Sequence, residues 1–514
     1  MSQAEKLAAP VKASADDTPL WKAISTRARQ NLFDSIPLKW RLPPTFEIPD
    51  TDLQRAARES GILTPRQLQL TELTVTELSP HILAGKVTAL EITEAFCARA
   101  AVAHQLVNCL TDFFPDEAIK AAKALDAEYS RTRTPLGPLH GIPIAIKDTW
   151  KIKGKRATNG CAAWYDRAPA EEDAPLIQVV KDSGAIIFGR TTMPQTGMAL
   201  ETVSPLWGRT LNGALVAMRG APCAPLSSDV GGSIRAPAAF NGLYGMRPTS
   251  NRPPRTGMAS STSGQISINA STGPCCRSMA DLKLLTKLVL THPTVPYEHS
   301  CIPGFWNEPP RKSKLAVGIM WTDEVVTPHP PVTRALKEVA CKLRAAGHDV
   351  IEFKPPINFW EAALATWILY FQTGVNETKA ALASTGEPLI AQFKYNIDVF
   401  NVREHTVAEV LEAHKKQDAY KAAFTQAWNA TADENAQRQP IDCIITPSGP
   451  VAGSLHDFCL WWGYFTIWNL LDYPSIIMPL KGFKIDPVKD AKAANYQPRD
   501  NPFDKMNWET CGLY

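Results

Sequence analysis

The sequence predicts an α/β fold, a central mixed β-sheet covered by helices on both faces. Three observations predict it: short apolar runs of strand length, helical periodicity between them, and one complete β-α-β unit. The runs are residues 142–146, 185–189, 315–320, 443–446 and 475–478. The unit reads LAVGIM, then PPVTRALKEVACKLRAAG stopped by Gly347, then HDVIEF. A strand, a helix ended by glycine and a second strand form the unit from which parallel sheets are built.

The elements follow in order. Residues 1–80 are polar, with helical pieces broken by prolines as in LPPTFEIPD, and read as an N-terminal helical arm. Residues 81–514 read as one main domain, since no linker or repeat divides them. It opens with Thr88-Ala89-Leu90-Glu91, a capping box in which Thr88 caps the helix and Glu91 reaches back. Ile92, Phe96 and Ala103 then recur near helical spacing, predicting an amphipathic helix over 88–104.

Composition narrows the function classes. The 514 residues are 45% hydrophobic and 20% charged, an ordinary globular balance. A formal charge of +3 without a basic block argues against nucleic acid or a membrane surface as partner. No apolar run reaches bilayer-spanning length, and MSQAEKLAAPVKASADDTPLWKAIS has no apolar signal region. Eleven cysteines without a CxxC pair read as scattered thiols in a reducing, cytoplasmic setting. The ten histidines show no ligand spacing, so neither a metal nor an organic cofactor is expected. The many tryptophans, Trp461, Trp462 and Trp468 among them, read as core.

Two stretches can carry chemistry. In Gly141-Ile142-Pro143-Ile144-Ala145-Ile146-Lys147-Asp148 a lysine ends an apolar strand. Burial there favours the neutral amine and makes it a base, whereas a purely structural Lys147 would pair with Asp148. In Ser227-Ser228-Asp229-Val230-Gly231-Gly232-Ser233-Ile234-Arg235 two glycines let the chain turn tightly before a serine. The backbone N–H groups of Val230, Gly231, Gly232 and Ser233 can then face an oxyanion while Ser233 attacks a carbonyl. A phosphate-binding reading is poor, because no Gly-Lys-Ser/Thr follows. Lysine and serine together suggest a hydrolase that needs no histidine.

GIPIAIKD and SSDVGGSIRAPAAFNGLYGMRPT resemble the two best-kept blocks of the amidase signature family of serine hydrolases. MPQTGMALETVSPLWGRTLN and NLLDYPSIIMPLKGF resemble its fungal acetamidase branch, and the resemblance covers roughly residues 20 to 514. It implies a Ser-Ser-Lys triad, with Lys147 as general base, Ser233 as nucleophile and Val230 to Ser233 as oxyanion hole. It further implies an acyl-enzyme, a small-molecule amide substrate, no cofactor and a possible homodimer.

The chain departs from that pattern. The family's Gly-Gly-Ser-Ser-Gly-Gly segment, whose first serine bridges base and nucleophile, is absent where Asn212 meets Gly213. No bridging serine carries over, which leaves Thr210, Ser227 and Ser228 as the hydroxyls to consider. PCAPLSSD is one residue longer than the usual stretch. Relatives are expected to continue past ETCGLY into a strand and helix that finish the sheet, and Gly189-Arg190-Thr191-Thr192 replaces Gly-Lys-Thr-Asn. The leading expectation is an enzyme that converts carboxylic amides to acid and ammonia. The alternatives are an impaired amidase-fold protein or faulty gene model, and the A subunit of a tRNA-dependent amidotransferase.

Overall fold

The computed structural model describes residues 19–211, 215–260, 262, 264–293, 295, 298–302, 304 and 306–513. The junction at Asn212 and Gly213 lies outside the described residues. Twelve strands are seen among them. In chain order they are β1 (Leu110–Phe113), β2 (Pro143–Lys147), β3 (Ile186–Thr191), β4 (Val203–Ser204), β5 (Gly208–Arg209) and β6 (Cys223–Asp229). After these come β7 (Tyr244–Arg247), β8 (Ser271–Cys276), β9 (Ala316–Ile319), β10 (Asp349–Glu352), β11 (Cys443–Ile445) and β12 (Ser475–Ile477). All five apolar runs are strands, and the architecture is α/β.

Pairing is mixed, as expected. Strand β3 pairs antiparallel with β1 and parallel with β2. In the predicted β-α-β unit, β9 and β10 run parallel around the helix Pro330–Ala345, and β11 joins the other side of β9. Gly347 ends that unit's helix at φ +87°, a left-handed conformation that favours glycine. The ladders do not fuse into one continuous sheet. They form the orders β1-β3-β2, β10-β9-β11, β12-β7-β8-β6 and β4-β5. Strand β2 nevertheless runs beside β6, where Trp150 donates its indole N–H to the Leu226 carbonyl at 3.0 Å.

The strand β6 holds the stretch that looked one residue too long. Between Ala224 and Ser227 the register shifts, so that three steps along β6 match two from Cys275 to Gly273 on β8. A β-bulge absorbs the extra residue, and Ser227, Ser228 and Asp229 are back in register opposite Gly273, Thr272 and Ser271.

The helix predicted over 88–104 spans Ala89–Val107, with the Thr88 hydroxyl accepting from the Glu91 N–H at 3.0 Å. The second half of the expected capping box is not made. The Glu91 carboxylate accepts from Arg66 Nε at 2.9 Å instead, an ion pair in place of a bond to a neutral backbone N–H. The free N–H groups of Ala89 and Leu90 are met by Asp126 at 2.8 and 2.9 Å.

Before residue 81 the chain forms helices at Leu20–Asp34, Leu53–Glu59, Pro65–Glu72 and Val75–Leu83. Ile24, Ala28, Leu32 and Trp40 share a buried cluster with the helix Ala89–Val107 and with Leu206 and Trp207. A second cluster gathers Trp367, Phe371, Phe393, Phe400, Trp461 and Trp462. The helix Gly463–Leu470 is buried along its whole length and packs behind the glycine turn that follows β6.

Candidate active site

The parallel pairing of β2 with β3 carries Lys147 to the end of β2, beside β6. Its ammonium donates to the Ser228 hydroxyl at 3.1 Å and to the Ser228 carbonyl at 3.2 Å. Burial lowers the Lys147 pKa to about 8, against the opposing pull of Asp229. Lys147 therefore lacks the Asp148 partner that a structural role would give it. Asp148 turns away to accept from Arg190 Nη1 at 2.9 Å and from the Thr158 N–H at 3.1 Å. Burial raises its pKa to about 6 although Arg190 opposes the rise.

Past Asp229 the chain turns sharply. The Asp229 carboxylate accepts from the N–H groups of Gly232, Ile234 and Arg235 at 2.9, 3.2 and 3.4 Å, tying the turn to its own first residue. Arg235 returns on the same carboxylate through Nε at 3.0 Å and Nη2 at 2.9 Å. Asn469 donates to it at 3.1 Å, and Arg235 also reaches the Phe465 carbonyl and the Asn469 side chain at 2.8 and 2.6 Å. Burial alone would raise the Asp229 carboxyl, but Arg235, Arg247 and Asn469 outweigh it and hold it well below the usual carboxylate range. Tyr370 donates its hydroxyl to the Val230 carbonyl.

Both glycines are required by space. A Cβ on Gly231 would stand 3.1 Å from the Trp462 ring and from the Tyr370 oxygen. One on Gly232, at φ +126°, would fall 2.9 Å from Phe465 Cβ. The turn thus lies flat against an aromatic wall.

The four N–H groups read from the sequence divide. That of Gly232 is committed to Asp229, while those of Val230, Gly231 and Ser233 meet no acceptor among the described residues. The Ser233 hydroxyl is half-buried and meets no partner among them either. Of the other hydroxyls, Ser228 contacts Lys147, and Thr210 is spent on Thr192 and the Asn108 carbonyl, each at 2.7 Å. Ser227 is half-buried on β6, and the Lys147 bonds go to Ser228 instead.

Sequence reasoning passed over the residues that hold this geometry. Asp229 and Arg235 flank the turn six residues apart, and a buried acid and base at that spacing were available as a signal. Arg190, noted in the sequence only as a departure within Gly189-Arg190-Thr191-Thr192, pairs with Asp148. Asn469, Phe465 and Tyr370 come from helices distant in sequence, so nothing local announced them. Among the described residues no cluster of histidine, cysteine, aspartate or glutamate could hold a metal ion, and no helix is long and apolar enough to cross a membrane.

The profile of the family described as Amidase matches residues 91–494. An amidase of Gibberella zeae is 44% identical over 506 residues, covering 95% of this chain and 92% of that one. The acetamidase of Emericella nidulans is 34% identical, covering 90% of this chain and 87% of its own length. The solved structure of a fatty acid amide hydrolase superposes with a TM-score of 0.88 at 29% identity, covering 95% of this chain and 88% of that one. The chain belongs to the amidase family, enzymes that hydrolyse amides.

Proposed function

We propose that the chain hydrolyses small carboxylic acid amides through an acyl-enzyme on Ser233, with Lys147 as general base and Ser228 carrying the proton between them. The observation that carries this reading is the 3.1 Å contact of Lys147 Nζ with Ser228 Oγ, at the entrance to the turn that presents Ser233. In its neutral form the amine accepts the Ser228 proton along that contact, and Ser228 takes the proton of Ser233. Ser233 Oγ bonds to the carbonyl carbon. The carbonyl electrons move onto oxygen, where the free N–H groups of Val230, Gly231 and Ser233 stabilise the charge. Collapse breaks the C–N bond as the amine leaves with the proton returned from Lys147. Water then repeats the sequence on the ester and releases the acid.

None of these steps calls for a metal or an organic cofactor. Eleven cysteines without a CxxC pair suit a reducing cytoplasm as the working compartment. The acetamidase named among the relatives makes acetamide the first substrate to try.

The second reading is a fold that binds amides without turning them over. It is favoured by the Ser233 hydroxyl, which meets no partner among the described residues. One experiment separates the two. Ammonia release from acetamide and longer amides is measured alongside fluorophosphonate labelling, for the chain and for Ser233→Ala. Labelling at Ser233, with turnover that falls at least ~10³-fold in the variant, supports hydrolysis. Neither labelling nor turnover supports the second reading, and turnover unchanged in Ser233→Ala removes Ser233 from the mechanism.

A further inference from the structure

Apart from the glycine turn, the helices Ala89–Val107 and Pro65–Glu72 bring several arginines near the Glu72 carboxylate. Arg99 lies inside the first of these helices and is 0% exposed. Its Nε donates to the Met218 carbonyl at 2.9 Å, while Nη1 and Nη2 are both buried without a partner. Its charged neighbours are Glu72, Arg58 and Arg219. Glu72 already accepts from Arg219 Nε at 3.0 Å. Arg277 completes the group, donating to the carbonyls of Thr71, Glu72 and Leu73 at the end of the helix Pro65–Glu72, and its Nε too is buried and unpartnered. The other acid near Arg277 is Asp281, whose two oxygens are taken by the Val75 and Thr76 N–H groups and the Thr76 hydroxyl.

A guanidinium with two buried, unused NH2 groups is rare, because each desolvated donor left unpaired is costly. Here the cost is compounded by like charges alongside. Burial lowers the pKa of Arg99 and of Arg277 to about 10, which leaves both charged at neutral pH. Deprotonation is therefore no escape. The Glu72 carboxylate is engaged by Arg219, and what the Arg99 fork lacks is an acceptor of its own with two oxygens and negative charge, the shape that a guanidinium binds side by side.

We propose that this cluster is a binding site for a small tetrahedral oxyanion of the phosphate or sulfate class, with Arg99 as its buried anchor and Arg219 and Arg277 as its outer donors. The site is separate from the hydrolytic one but connected to it. Met218, held by Arg99, belongs to the turn that runs from Leu215 to Gly220 and feeds directly into β6. A bound anion fixes that turn and so fixes the start of the strand that ends in Ser228 and Asp229.

The test uses the full chain, freed of phosphate by dialysis, with inorganic phosphate as the probe. Calorimetric titration and thermal midpoints are measured at millimolar phosphate or below, at ionic strength held constant with chloride, so that general salting effects are small. Expected are one phosphate per chain and a midpoint that rises with phosphate but not with matched chloride. Arg99→Met should lose both responses, and Arg219→Gln should weaken binding roughly tenfold. The second variant keeps the test decisive if the first fails to fold. Native mass spectrometry of the chain as purified separates inorganic phosphate from a phosphorylated metabolite as the natural source. Equal responses to phosphate and chloride, or a phosphate response that survives both Arg99→Met and Arg219→Gln, would overturn the proposal.

Discussion

Arg235 and Arg99 are buried to the same degree, 1% and 0% exposed, and the fold treats them in opposite ways. Arg235 shares a carboxylate with the turn it closes and finds a further carbonyl and an amide oxygen on the helix Gly463–Leu470. Arg99 has one carbonyl, and its charged neighbours are Glu72 and the like-charged Arg58 and Arg219. The difference teaches where this protein needs rigidity from its own atoms. In the proposed mechanism a turn that holds N–H groups toward a transient oxyanion cannot depend on an exchangeable ion, and Asp229, Arg235 and Asn469 satisfy one another internally. The Arg99 cluster supports only the entry to β6, where an anion from solution serves.

The sharpest way to break the comparison is to remove each arginine in turn. Arg235→Met leaves the Asp229 carboxylate buried without its cation and should cost about 3–5 kcal/mol. Chemical denaturation would record that loss, together with the loss of amide turnover. Ser228→Ala should leave stability nearly unchanged and lower kcat by roughly 10²-fold, the scale of a misplaced proton transfer. Recovery in Ser228→Thr would tie the loss to the hydroxyl, whereas a Ser228→Ala enzyme at full rate would remove Ser228 from the proton path.

The pH profile gives a smaller effect with a definite sign. A lysine lowered to about 8 is mostly protonated, and unable to act as a base, below that pH. Hydrolysis should therefore climb close to tenfold per pH unit on the acid side and level off above about 8. A profile flat from pH 6 to 9 would take Lys147 out of the base's role. The smallest change belongs to Arg99→Met. In phosphate-free buffer it should be neutral or mildly stabilising, because it removes a charge that has no partner and keeps the volume. A loss as large as that of Arg235→Met would erase the distinction between the two sites.

Much of this molecule was legible before any coordinates. Strand-length apolar runs located five strands, and the helix between LAVGIM and HDVIEF located a parallel unit, because periodicity and turn residues act over a few positions. The same local logic set Lys147 at a strand end and two glycines before Ser233. It failed where a partner comes from elsewhere. Thr88 and Glu91 promised a closed capping box, but Arg66 drew Glu91 away and Asp126 supplied the cap from another helix. PCAPLSSD looked out of place until β8 revealed a bulge that restores the register.

By itself, then, the sequence determined the class of fold and the need for glycine between strand and serine, and it put forward Lys147 and Ser233 as the proposed base and nucleophile. These follow from backbone conformation and from the chemistry of single side chains. Only the tertiary structure decided that Ser228 is the hydroxyl meeting Lys147, that Asp229 and Arg235 lock the turn, and that Arg99 is left open. Pairing between buried charges depends on what long-range packing brings within about 3 Å, and no spacing along a chain encodes that distance.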